Sequence, residues 1–545
     1  MSDSKSEMRY AKSFKEQLTA RGIIIGAIGS IIITMSSMYV ALRMGALPWP
    51  TIFVAVLSMG LLKALGNTNL NEINVTHTAM SAGSMVAGGL AFTIPGIWML
   101  NADADVSMAA LFAVTLGGAI LGVIFTALVR KYFIEGEKLP FPMGIAASET
   151  VLAGDEGGTK AKTLFATMGL TAVFTALRDY GKVPPVWLSE GLTAKGVPFG
   201  FWISPMAVAI GYIIGPLFTG VWFLGAVIGF FGLILMGTSV GWFADAGVAT
   251  AFKDSLGIGL MVGTGIGILL KGIIPKAKEI YGPMISGKAA KEGDVNLKWA
   301  PILFALVAFI LTVVTNMGIV ASMITIVGVW LTTAMSAQIT GQTGINPMEI
   351  FGIIVLLVAK ALSGVGQLEA FFVAGVVAVA CGLTGDVLND FKSGYILKTN
   401  PKAQLISETI GGIIGAIVSV IVLFVMFRVF GAMGPGTELP APQAYAVSTM
   451  VGGLPNVTAF IIGLILGAVL YVINVPAMTL GIGIYLPMFI SATVFIGGAL
   501  AFIVSKINPE VKRRDKGVIV ASGMLGGEGV TGVIIAIIKA VNGLM

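Results

Sequence analysis

Apolar runs of about 20 residues, the length that carries a helix across the hydrocarbon core of a bilayer, recur along the whole chain. They fall near 21–42, 50–66, 73–100, 107–130, 161–177, 202–217, 219–237 and 254–273. Past a lysine-rich connector from Lys271 to Lys298 they resume near 299–315, 318–337, 348–364, 367–385, 402–430, 457–474, 477–504 and 516–540. The pattern predicts an all-α polytopic membrane protein of about sixteen transmembrane helices, eight in each half. The longest polar stretches, 1–20, 179–200, 275–298 and 431–455, are each shorter than the ~50 residues an independent domain needs, so no soluble motor domain is expected. The organisation read here is a cytoplasmic tail at 1–20, a first eight-helix repeat at 21–290 and a second at 291–545.

An even number of spans makes the two repeats parallel, related by an axis along the membrane normal, with a site between them. A weak likeness supports the duplication. Gly66-Asn-Thr68-Asn-Leu-Asn71 resembles Gly341-Gln-Thr343-Gly-Ile-Asn346, and a glutamate, Glu72 or Glu349, follows each. Lysine and arginine placement sets the orientation. Lys5, Arg9, Lys12, Lys15 and Arg21 put the N-terminus in the cytoplasm, and the acidic loop 101–105 carries no Lys or Arg, as an outside loop should. The loop with Lys506, Lys512, Arg513, Arg514 and Lys516 breaks the rule under a sixteen-span count.

Composition narrows the class further. Hydrophobic residues make up 56% of the 545 and charged ones only 11%, with 73 glycines, which no soluble protein of this size would show. The net charge of +6 sits mostly in short loops and the tail, so it reports topology rather than nucleic-acid affinity. The first apolar segment is too long for a signal peptide and lacks its small-residue cleavage site, so it is expected to stay as a helix. The single cysteine, Cys381, excludes a disulfide framework and any multi-cysteine metal site.

Polar residues inside such segments carry the candidate chemistry, because an ionisable group at bilayer depth costs on the order of 3 kcal/mol and faces a cavity or a partner. Glu72 and His77, the only histidine, lie in one of these runs. Asn74, His77, Ser81, Ser84 and Gly88 recur at three or four residues and share one helix face. That face either lines a cavity or packs a neighbouring helix through small residues and hydroxyls, and His77 either relays protons or donates one structural hydrogen bond. In Leu139-Pro140-Phe141-Pro142-Met-Gly144 the prolines predict an irregular stretch and then a short helix from Pro142 that carries Glu149; Pro142, Gly144 and Gly385 are the expected hinges. The block around Asp386, Asp390, Lys392 and Tyr395 reads as its counterpart between two apolar spans, or as a solvated loop. Asn400 is placed to cap a helix whose first residue is Pro401, with Gln404, Glu408, Gly411 and Gly415 on one face. Glu528, among Gly526, Gly527 and Gly529, is a similar but weaker candidate, and Gly259, Gly263 and Gly267 form a packing ridge.

Enzyme signatures fail. Gly282, Gly287 and Lys288 mimic a phosphate-binding loop, but Ala289 replaces the magnesium-binding hydroxyl and no strand precedes it. One histidine forbids an HExxH zinc site, and no Gly-x-Ser-x-Gly elbow is present. What remains is transport coupled to an ion gradient, through carboxylates and His77 on broken helices.

Several blocks then resemble a known family. "NEINVTHTAMSAGSMVAGGLAFTIPGIW", "LPFPMGIAASE", "GQTGINP", "CGLTGDVLNDFKSGYILKTNPKAQLISETIG", "GIGIYLPMFISATVFIGG" and "GVIVASGMLGGEGVTGV" occur in the order expected of the oligopeptide transporter (OPT) superfamily. The resemblance implies sixteen membrane helices and proton-coupled uptake of small peptides or, in the yellow-stripe branch, of metal chelates. The Asn-Pro-Gly and Lys-Ile-Pro-Pro-Arg motifs of the eukaryotic peptide branch are absent, so the chain looks like the compact prokaryotic group. The expectation is a cell-membrane symporter, N-terminus in the cytoplasm, that moves a small peptide with protons. Glu72, His77, Glu149, Asp386 and Glu408 are the candidates for proton and amine binding, and Asn71, Asn74, Gln342, Asn346 and Tyr395 for peptide groups. No cofactor, metal ligand or nucleic-acid partner is expected. The alternatives are uptake of metal chelates and a gated channel or passive facilitator.

Overall fold

Helix boundaries follow local chemistry. Asn69 is extended and its side chain accepts the Glu72 N–H, so a helix starts at Leu70 and runs to Ala91. Asn400 accepts from the Lys402 N–H and opens the helix Pro401–Phe430, as its place before proline predicts. At the other end, Gly45 (φ 63°) closes Ala20–Met44 and Gly344 (φ 73°) closes Gly318–Thr343 in the left-handed conformation that glycine adopts without strain. The helix expected at Pro142 spans Pro142–Glu156.

The computed structural model describes residues 10–544 apart from 46, 48, 157, 182, 286–298, 438 and 508–510. Part of the tail at 1–20, the repeat boundary at 290/291, the end of the phosphate-loop mimic and the side chains of Lys512, Arg513 and Arg514 therefore lie outside the described residues. Among the described residues, nine helices are long and apolar enough to cross a membrane, or up to ten if one bent pair counts as a single span. The chain is a helical, multi-pass membrane protein. Thr51–Ala64, Pro205–Ile214 and Ala300–Val314 are apolar but shorter. The run 477–504 is two helices, Ala477–Tyr485 and Met488–Ile507, because Pro487 has no N–H to continue the ladder. Within the polar stretch 179–200 and just past it, Val186–Leu188 pairs antiparallel with Gly200–Trp202, a small departure from an all-helical chain.

The chain divides into two compact units, and each draws on both halves of the sequence. Unit 1 comprises Met1–Ala161, Pro275–Gly452 and Gly532–Met545. At its centre every residue of Leu70–Ala91 is buried, and Gln367–Ile396 is buried from Ala370 to Phe391. Pro401–Phe430 is one-sided, with Ile413, Ile417 and Ile421 exposed and Gly411 and Gly415 turned inward. A Cβ at Gly411 would lie 2.1 Å from the Ala79 carbonyl oxygen, and one at Gly415 2.4 Å from the Gly83 Cα. Only glycine lets these two backbones approach so closely.

Unit 2 comprises Lys162–Ile274 and Gly453–Thr531. Its main contact pairs Ala246–Gly267 with Val457–Val472 through glycines of both helices. A Cβ at Gly259 or Gly263 would meet the Phe460 or Leu464 carbonyl, and one at Gly463 or Gly467 the Leu256 or Leu260 carbonyl. The ridge read from Gly259, Gly263 and Gly267 is a packing surface, as expected.

Candidate functional site

Four helices of unit 1 converge on a group of buried carboxylates. Asp386 and Asp390 lie four residues apart on Gln367–Ile396 and therefore share one face. Glu408 comes from Pro401–Phe430 and His77 from Leu70–Ala91. All four are 0% exposed. One oxygen from each of Asp386, Asp390 and Glu408 lies within 4.8 Å of one from each of the others, and His77 Nε2 is 3.3 Å from Asp390 Oδ1.

The outer atoms are held. Thr51 Oγ1, from Thr51–Ala64, donates to Asp386 Oδ1 at 3.3 Å, and Ser81 Oγ to Asp390 Oδ2 at 2.9 Å. Gln404 Nε2 donates to the Asp390 carbonyl at 2.6 Å and Ser407 Oγ to that of Val75 at 2.6 Å, which ties the three long helices together. The inner atoms are not: Asp386 Oδ2, Asp390 Oδ1, both Glu408 oxygens and both His77 nitrogens have no hydrogen-bond partner among the described residues. Two like charges at that separation repel by about 3 kcal/mol even at an effective dielectric of about 20, so three full charges would cost roughly 10 kcal/mol. Positive charge must therefore enter the cluster, as protons or as a bound cation.

The polar stripe predicted on one helix face divides between two neighbours. Asn74 accepts from Ser393 Oγ at 2.8 Å and donates to Thr399 Oγ1 at 3.2 Å, so it ties the helix to the end of Gln367–Ile396 just beyond the cluster. Ser84 meets Ser37 Oγ at 2.6 Å and packs against Ala20–Met44.

The other candidates stand apart. Glu72 is fully satisfied: Arg21 Nε and Nη2 each donate at 2.8 Å, Thr19 Oγ1 at 2.6 Å and Thr68 Oγ1 at 2.7 Å. Asn71 donates to the Leu397 carbonyl and to Thr399 Oγ1 and accepts from Ala11 N–H, a structural clamp. Glu149 and Gln342 are exposed, and Tyr395 is 51% exposed with Lys392 over its ring. Asn346 donates to the Cys381 carbonyl at 2.7 Å and accepts from Ser336 Oγ at 3.0 Å.

Three readings are corrected by the geometry. The block from Gly382 to Tyr395 is neither loop nor broken helix, since one helix runs unbroken from Gln367 to Ile396. Gly385 therefore is no hinge; a Cβ there would sit 2.5 Å from Asn346 Nδ2 and 2.7 Å from the Trp49 ring. Gly144 is likewise a place of close approach, where a Cβ would lie 2.2 Å from the Asn389 carbonyl oxygen. The six-residue segments that suggested a repeat are not equivalent either: 66–71 leads into a helix, whereas 341–346 straddles the end of one. Asp390 was missed as a site residue. Its signal was the four-residue spacing from Asp386 inside a very apolar run.

The sequence matches the family described as OPT oligopeptide transporter protein over residues 17–539. It is 26% identical to the "Putative oligopeptide transporter" of Haemophilus influenzae over 93% of each chain. It is 22% identical to the "Probable metal-nicotianamine transporter YSL5" of Arabidopsis thaliana, over 96% of this chain and 88% of that one. A shorter stretch, 20% of this chain and 17% of the relative, is 32% identical to the "Metal-nicotianamine transporter YSL2" of Arabidopsis thaliana.

Proposed function

Since the chain belongs to the OPT oligopeptide transporter family, whose members are transporters and not enzymes, we propose that it is a proton-coupled symporter importing small oligopeptides across the cell membrane. Asp386, Asp390, Glu408 and His77 exchange the coupling protons. The observation that supports this is the set of acceptors without a hydrogen-bond partner among the described residues, in a group with no exposure, a setting in which buried carboxylates favour taking up positive charge. Glu72 and Asn71 serve instead to fix the N-terminal segment, because their polar atoms are already engaged.

The topology in this reading is two parallel eight-helix repeats with a cytoplasmic N-terminus. A reciprocal contact within unit 1 supports a duplication. Leu139-Pro140-Phe141-Pro142 and Leu439-Pro440-Ala441-Pro442 each open a helix. The Phe141 N–H donates to the Gly341 carbonyl at 2.9 Å, and the Ala441 N–H to that of Leu42 at 2.7 Å. Each proline element thus docks on a helix end from the other half of the sequence.

The test is uptake into liposomes. Purified protein given labelled di- to hexapeptides under an imposed proton gradient should accumulate peptide above the outside concentration. Flux indifferent to the gradient, with no accumulation, would mark a passive facilitator and overturn the coupling. A second cargo is favoured by the relatives named as metal-nicotianamine transporters: metal-dependent uptake of a nicotianamine chelate in the same vesicles, with no peptide flux, would replace the peptide reading.

A further inference from the structure

The carboxylates of the cluster are arranged as ligands commonly are around an ion. Asp386 and Asp390 each engage one oxygen with a hydroxyl, Thr51 and Ser81 respectively, which fixes the orientation of the carboxylate. The opposite oxygen of each, together with both oxygens of Glu408, has no donor among the described residues. Metal–oxygen bonds of about 2.0 to 2.6 Å put ligands on opposite sides of one ion about 4 to 5 Å apart, and one oxygen from each of the three carboxylates lies within 4.8 Å of the others. An independent observation places a nitrogen at the border of the group, beside Asp390. The imidazole of His77 is wholly buried, neither of its nitrogens is hydrogen-bonded, and Nε2 sits 3.3 Å from Asp390 Oδ1.

We infer that Asp386, Asp390 and Glu408, bordered by His77, form a direct binding site for a bare divalent metal ion of the first transition row. Three carboxylates with an imidazole at their edge suit Mn²⁺, Fe²⁺ or Zn²⁺, whereas Ca²⁺ takes six to eight oxygens. A proton bridges at most two oxygens, whereas one divalent ion reaches an oxygen of each of the three carboxylates and offsets two of their three negative charges. The inference uses the same cluster as the proton-coupled reading, and an ion in place excludes protons from those oxygens. It differs from chelate uptake, in which the metal arrives with its own ligands.

The experiment titrates Mn²⁺ into full-length protein in lipid nanodiscs and reads free Mn²⁺ by electron paramagnetic resonance. The wild type should bind about one Mn²⁺ per chain. Asp390→Asn and Glu408→Gln should abolish that binding, His77→Gln should weaken it by about 10-fold or more, and Glu190→Gln, at an exposed site in unit 2, should leave it unchanged. Gel filtration and an unchanged helical circular-dichroism melting profile establish that each variant is folded. Equal binding by the wild type and the two carboxylate variants, or none by the wild type, overturns the inference. The two readings fail separately: uptake driven by protons without Mn²⁺ binding sinks only the metal site, and Mn²⁺ binding with uptake indifferent to the gradient sinks only the coupling.

Discussion

Glu408 in unit 1 and Glu528 in unit 2 are both buried glutamates on glycine-rich helices, 0% and 4% exposed. Their surroundings are opposite. Glu528 accepts from Arg178 Nη1 at 2.8 Å, Ser204 Oγ at 3.0 Å and the Met206 N–H at 2.8 Å, so its charge is met by a cation and by the N-terminus of Pro205–Ile214. Among the described residues Glu408 has no donor on either oxygen and two aspartates for neighbours. Burial alone therefore does not mark a working carboxylate. A satisfied one holds helices in place; an unsatisfied one needs something to come and go.

The sharpest way to break this contrast is to remove charge on each side. The double variant Asp390→Asn, Glu408→Gln should reduce gradient-driven peptide accumulation by about 100-fold or more and leave counterflow intact, with a thermal midpoint no lower than that of the wild type. Normal accumulation in vesicles would end the functional half of the comparison. Arg178→Met, by contrast, strands the Glu528 carboxylate and should cost about 3–5 kcal/mol of stability. Replacing both residues by apolar ones should recover most of that loss. A thermal midpoint for Arg178→Met equal to the wild type would show that Glu528 is no staple.

Packing gives a smaller effect with an internal control. Gly411→Ala forces a Cβ to within 2.1 Å of a backbone carbonyl, whereas Gly412→Ala, one residue on, meets nothing within 4 Å. The first should lose about 1–3 kcal/mol and the second almost nothing, as read by unfolding in detergent. The smallest effect concerns a half-buried pair. Lys276 Nζ donates to Glu137 Oε1 at 2.6 Å and, as the largest cause, holds that carboxyl below its usual range. A depressed carboxylate adds stability that is present above its unfolded value and lost as pH falls through the folded one. At this exposure the pair is worth about 1 kcal/mol or less. Lys276→Met should flatten that part of the acid unfolding curve, and an unchanged curve would refute the pair's contribution.

Much of the fold was legible because its signals are local. The apolar runs at 21–42 and 402–430 become Ala20–Met44 and Pro401–Phe430, and the cap at Asn400 and the helix start at Pro142 fall where residue chemistry puts them. The errors arose where hydropathy and polarity point to a loop but packing decides otherwise. Asp386, Asn389 and Asp390 interrupt an apolar run and by their polarity predict its end. The helix continues because those side chains meet Thr51, Ser81 and the Gly144 N–H, partners 240 or more residues distant in the chain. Glu72 and Glu408 looked alike for the same reason. Nothing near Glu72 in sequence shows that Arg21, 51 residues earlier, will neutralise it.

By itself the sequence determined the class of environment, the helical character, most helix ends and the family, since each depends on hydropathy, turn chemistry or motif order along short stretches. Only the tertiary structure decided which carboxylates meet one another and which meet a cation. Helical periodicity tells which side chains share a face, but not which faces are pressed together; that choice is made by close approaches such as Gly411 on Ala79, which brings the helix of Glu408 against that of His77, while among the described residues neither Glu408 oxygen finds a donor.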